Sequence, residues 1–116
     1  VLTLVLRALA ANDSPYTDHG VGVSYAFASD RMRGGIGDEA AFRRALHNTL
    51  NAPLLGHDAA EVERFERRGD AARAEVRVTG RDDAVARFTV ALTLARHGTH
   101  RDCWLVSGLA RAGVDL

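Results

Sequence analysis

Residues Ala71 to Arg96 read AARAEVRVTGRDDAVARFTVALTLAR. In the first arm Ala72, Ala74, Val76 and Val78 fall on one side, and Arg73, Glu75, Arg77 and Thr79 on the other. Gly80-Arg81-Asp82-Asp83 follows, rich in residues that accept tight backbone geometry. The second arm repeats the alternation, with Phe88, Val90, Leu92 and Leu94 opposite Arg87, Thr89, Ala91 and Thr93. A period of two over this length predicts an antiparallel hairpin with one dry face. The rest of the chain is read as cover for that face.

Toward the C-terminus, His97-Gly98-Thr99-His100-Arg101-Asp102 reads as a second polar loop, and Cys103 to Val114 as the last strand. This strand is apolar on both sides, Trp104 and Val106 on one, Cys103, Leu105 and Leu109 on the other. Two dry faces call for two covers, a helix on one side and something else on the other, for which a second subunit is a natural candidate. Before the hairpin, Val62 to Arg68 reads as a strand with faulty alternation, because Val62 and Phe65 do not share a face. A bulge near Arg64 restores it. Gly69-Asp70 is the connecting turn.

The N-terminal half is helical in pattern. Over Val1 to Asn12, Leu2, Val5, Leu6 and Leu9 recur on one helical face until Asn12-Asp13-Ser14-Pro15 ends it. Tyr16 to Ser29 fits either period: Val21, Val23, Tyr25 and Phe27 alternate, while Val21, Ser24, Tyr25 and Ala28 make a helical stripe. Arg33-Gly34-Gly35-Ile36-Gly37 reads as a flexible loop, lacking the spacing of a phosphate cradle. Asp38 to Leu50 is the clearest helix, with Asp38 as N-cap and Ala41, Phe42, Ala45, Leu46 and Thr49 on one face, stopped by Asn51-Ala52-Pro53.

A length of 116 residues holds one domain, residues 1–116. Fifteen basic residues, all arginine, balance fifteen acidic ones, so no net field draws nucleic acid or an anionic membrane. The absence of lysine removes Schiff-base chemistry. The lone Cys103 forbids an internal disulfide and is expected as a small core hydrophobe, which fits a reducing, cytoplasmic setting. The apolar start Val1 to Leu6 is broken by Arg7 and is too short to span a bilayer. A chain that begins with Val is expected to be a fragment or a trimmed form.

The order of these segments resembles the NTF2-like superfamily, also called SnoaL-like or cystatin-like α+β domains. Ala26-Phe27-Ala28-Ser29, Pro53-Leu54-Leu55-Gly56-His57, Gly69-Asp70 and Cys103-Trp104-Leu105 are similar to one uncharacterised family within it. Asp30-Arg31-Met32-Arg33 departs from the proline- and asparagine-containing segment of that pattern. The resemblance implies N-terminal helices packed in the concave face of a strongly curved antiparallel sheet, a cone open at one end. It also implies a short helix within Tyr16 to Ser29. Members use the cone for isomerisation, dehydration, cyclisation or ligand binding, and many only dimerise. No catalytic residue transfers position by position.

A cavity enzyme needs an acid or base inside an apolar pocket. His57 and Tyr25 are the weak catalytic candidates, and Tyr25, Phe27, Phe42, His57 and Trp104 the candidate ligand-binding set. Each has a plainer role: His57 as a turn-fixing hydrogen bonder, the aromatics as core. His47 reads as a boundary residue, and His19, His97 and His100 as surface histidines; His-x-x-His alone is a weak metal signal, so no metal or cofactor is expected. Tyr16 could supply a phenolic donor. Asp70, Asp82, Asp83 and Asp102 sit in turns, and Ser107 lacks a nucleophile elbow. The expected function is a non-catalytic module that forms a homodimer through its sheet and binds a small apolar ligand or a protein. The alternative is a small-molecule isomerase, dehydratase or cyclase.

Overall fold

A computed structural model describes residues 1–48, 51–80, 83–96 and 101–111. The protein is α+β. Four helices, α1 (Leu2–Ala10), α2 (His19–Ala26), α3 (Asp30–Ile36) and α4 (Glu39–Leu46), precede a short 3-10 turn (Ala52–Leu54) and four strands. The strands, β1 (Ala59–Arg68), β2 (Ala71–Thr79), β3 (Val85–Leu94) and β4 (Trp104–Arg111), form an antiparallel sheet in sequence order.

The hairpin is as its alternation predicts. Val76 lies opposite Phe88, Ala74 opposite Val90 and Ala72 opposite Leu92. All six are buried, Phe88, Val76 and Ala74 completely. Against them pack Val5, Leu6 and Leu9 of α1, Val21 of α2, Met32 of α3 and Phe42 and Leu46 of α4. Apolar stripes at helical spacing thus meet apolar alternation at strand spacing, and burial of these side chains holds the two layers together.

The bulge in β1 is present. Val62 pairs with Val76 and Arg64 with Glu75, so Glu63 is the extra residue. Val62 and Phe65 therefore share the core-side face, each opposite a buried residue of β2. The strand also begins earlier than expected, at Ala59. Gly69, with φ 61°, makes the turn to β2.

Tyr16 to Ser29 contains the helix α2, entered through Asp18 in the left-handed region with φ 59°. Gly20 meets α1 so closely that a Cβ there would lie 2.1 Å from the Ala8 carbonyl oxygen. Of Arg33 to Gly37, expected as a loop, Arg33 to Ile36 instead completes α3. Ser29 caps it by accepting from the Met32 amide at 3.2 Å, Asp30 occupies the first turn, and Gly37 with φ 110° ends it. Two glycines cost roughly 1 kcal/mol each in a helix. Met32 is buried, and the Arg33 guanidinium holds the Tyr25 carbonyl at 2.8 Å, so tertiary anchoring outweighs propensity.

Asp38 caps α4, accepting from the Ala41 amide at 2.9 Å. The helix ends at Leu46, short of the expected Leu50; Thr49 and Leu50 lie outside the described residues. So do Arg81, Asp82, His97, His100 and the end of the last expected strand.

Two readings of β4 are corrected. Cys103 is exposed, not a core residue, because it precedes the strand. Leu109 shares the face of Val106, not that of Leu105. The pairing of β3 and β4 slips between Ala91 and Leu92, skipping Ser107, and the slip moves every later side chain to the other face. The free side of β4 is partly closed by the chain around Ala28. The Val106 amide donates to the Phe27 carbonyl and the Ser29 amide to the Val106 carbonyl, both at 2.8 Å.

Candidate functional site

The residues singled out in the sequence do not line one pocket. The Tyr25 hydroxyl donates to the Gly37 carbonyl at 3.0 Å, its ring lies 5.5 Å from that of Phe42, and the Arg33 guanidinium carbon sits 4.6 Å above it. This group of contacts fixes the α2–α3–α4 junction. Phe42 is buried in the core, while Phe27 is half-buried beside β4. His57 is buried, 6% exposed, and its Nδ1 donates to the Leu54 carbonyl at 2.8 Å, closing the turn before β1. Trp104 sits at the sheet's far end beneath the Arg67 guanidinium, 4.9 Å from its ring.

Between helices and sheet lies an apolar cavity of about 20 Å³, bounded by Leu6, Leu9, Ser24, Phe42, Val90 and Val106 among others. That is room on the scale of a single water molecule. Neither His57 nor Tyr25 borders it.

The best-built polar cluster lies elsewhere. Asn12, only 5% exposed, donates through Nδ2 to Asp18 Oδ1 at 2.8 Å and accepts from the Val21 amide at 3.0 Å. The Gly20 amide donates to the Asn12 carbonyl at 2.9 Å. His47, at the end of α4, brings Nε2 to the same Asp18 oxygen at 2.8 Å. Burial alone would raise the Asp18 carboxyl. Hydrogen bonds from His47 and Asn12, with the charges of His47 and Arg43, outweigh it and hold the group below the usual carboxylate range. The cluster ties the α1–α2 connection to α4. Beside it is an open hollow of about 610 Å³, bordered by Asn12, Asp13, Ser14, His47 and Leu55 among others. Sequence reading passed over Asn12 and Asp18; the only local signal was an Asn-Asp pair directly after a helix.

The outer face of the sheet carries alternating charge. Arg77 of β2 stands opposite Arg87 of β3, a like-charged pair. Bulged Glu63 reaches both, Arg87 at 3.0 Å and Arg77 at 3.9 Å, and Glu61 bonds Arg77 as well. Arg64, Glu66, Arg73 and Glu75 line a shallow groove of about 180 Å³ beside them. The Arg64 guanidinium bonds Glu66 at 2.6 Å. On the opposite face of β1, Val62 is 43% and Phe65 55% exposed, and β1 is exposed along its whole length. No helix of the described residues is long and apolar enough to cross a membrane. Among the described residues, no three His, Cys, Asp or Glu side chains are grouped to hold a metal ion.

In comparisons with protein-family models, with curated proteins and with solved structures, nothing matches this chain.

Proposed function

We propose that this chain is a non-catalytic, NTF2-like module that forms a homodimer through its sheet. The observation that carries the reading is the exposure of Phe65 and Val62. Both stand on the apolar side of β1, in line with buried Ala74 and Val76, yet the core cluster stops at β2 and leaves them bare. Two large apolar side chains left bare side by side on an edge strand, beside charged residues, fit the apolar centre and polar rim of a protein contact. The expected site on β4 is less available, since Leu105 is already buried. An even charge balance favours a protein partner over nucleic acid. The isomerase, dehydratase or cyclase reading draws no support from an interior of about 20 Å³.

Light scattering at micromolar concentration tests the proposal. A dimer mass for the chain and a monomer mass for Phe65→Glu are expected. A monomer mass for the unaltered chain overturns the reading.

A further inference from the structure

The exposed edge of the sheet has a property that follows from its bulge. Along β1, the side chains from Ala59 to Arg68 point to the outer and the core-side faces in a fixed series. Ala59, Glu61, Glu63, Arg64, Glu66 and Arg68 take the outer face. Ala60, Val62, Phe65 and Arg67 take the core-side face. Because Glu63 and Arg64 both point outward, this series reads the same from either end, with its centre at the Glu63–Arg64 bond.

We infer that β1 pairs antiparallel with β1 of a second copy about a two-fold axis at the Glu63–Arg64 bond, joining two four-stranded sheets into one. The inference rests on the dimer reading above and specifies its partner geometry. Directly opposite residues of antiparallel strands share a face. Centred on the Glu63–Arg64 bond, every outer residue meets an outer residue and every core-side residue a core-side one. Val62 lies opposite Phe65 of the second copy, and Phe65 opposite its Val62, which covers both exposed apolar side chains. Glu63 lies opposite Arg64 of the second copy, twice over, so the charges at the axis are complementary.

Other alignments fail. A shift by one residue sets every core-side position against an outer one. A shift by two opposes Glu63 to Glu66 and Arg64 to Phe65, or Val62 to Glu63. Charges and bulges on an edge strand normally oppose pairing with any neighbour. Here they exclude wrong registers and leave one open. The remaining like-charged meeting, Glu61 opposite Glu66, is eased within each chain. Glu61 is bonded by Arg77, and Glu66 by Arg64. Ala60 opposite Arg67 and Ala59 opposite Arg68 set small side chains against long ones.

Cysteine cross-linking in a Cys103→Ser background tests the register. Chains carrying Ala60→Cys are mixed and equilibrated with chains carrying Arg67→Cys, and chains carrying Ala59→Cys with chains carrying Arg68→Cys, before mild oxidation. A disulfide needs Cα atoms within about 7 Å, which opposed residues satisfy. Two copies of position 60 would instead stand about 23 Å apart along the strands. Covalent dimer in one or both mixtures, and in no sample of a single variant, is the expected result. The second pair keeps the test valid if loss of Arg67 disturbs the contact with Trp104. A light-scattering dimer that cross-links in neither mixture, or that cross-links equally in single-variant samples, overturns this register and leaves dimerisation standing. A monomer mass overturns both.

Discussion

Asn12 and Asp18, on either side of the α1–α2 connection, meet side chain to side chain at 2.8 Å, and Asn12 then spends its carbonyl oxygen on the Val21 amide. One buried amide thus settles how two helices join. Removing it strands a buried backbone N–H. Asn12→Ala is expected to lower unfolding stability by about 2 kcal/mol. Urea titration followed by circular dichroism checks this.

The Asp18 carboxyl is held below its ordinary range, so its charged form is favoured by the folded state. An unfolded Asp titrates near about 3.9. Above that pH the contribution to stability is fully present. It is lost as pH falls through the lower folded value. Melting temperature is therefore expected to fall on acidification below about pH 4, and Asp18→Asn to fall less steeply over that window. Thermal melts of both proteins between neutral and strongly acidic pH measure the difference in slope.

Gly20 and Gly35 are both helical glycines with opposite expected outcomes. A Cβ at Gly20 would lie 2.1 Å from the Ala8 oxygen and 2.9 Å from the Asn12 Cα, both backbone atoms that cannot give way. Gly20→Ala should cost about 3 kcal/mol or more by forcing α1 from α2. At Gly35 nothing lies within 4 Å, and Gly35→Ala should gain roughly 0.5–1 kcal/mol from helix propensity. Denaturation midpoints decide both.

Trp104 is the single tryptophan of the chain and lies under Arg67. Arg67→Ala removes that cover. The fluorescence maximum is expected to move to longer wavelength, with a loss of about 0.5–1 kcal/mol of stability. An unchanged emission spectrum would refute the contact.

The two arms of the central hairpin were legible, because alternation from Ala72 to Val78 and from Phe88 to Leu94 is a local signal and both arms bury the same side. The β1 bulge was legible for the same reason: two apolar residues three apart cannot share a strand face without it. The bulge at Ser107 was not, since β4 is apolar throughout and a break in its alternation leaves no mark. Helix α3 was hidden by its glycines. What anchors it, the Arg33 contact to the Tyr25 carbonyl and the burial of Met32, exists only once the helices have packed. The cluster of Asn12, Asp18 and His47 draws on three separate segments, so no spacing rule could have assembled it. His57 makes the hydrogen bond that its plainer sequence role calls for, to the Leu54 carbonyl, and so closes a turn.

The ladder between β2 and β3 brings Arg77 and Arg87 face to face, and Glu63 answers both from the neighbouring strand. A chain that lost this carboxylate would keep two guanidiniums abreast across the middle of its sheet, with Glu61, among the described residues, bonded to the nearer one. Position 63 is therefore the shared counter-charge of 77 and 87, and a neutral residue there is expected to favour the loss of one of the two guanidiniums among descendants of this chain.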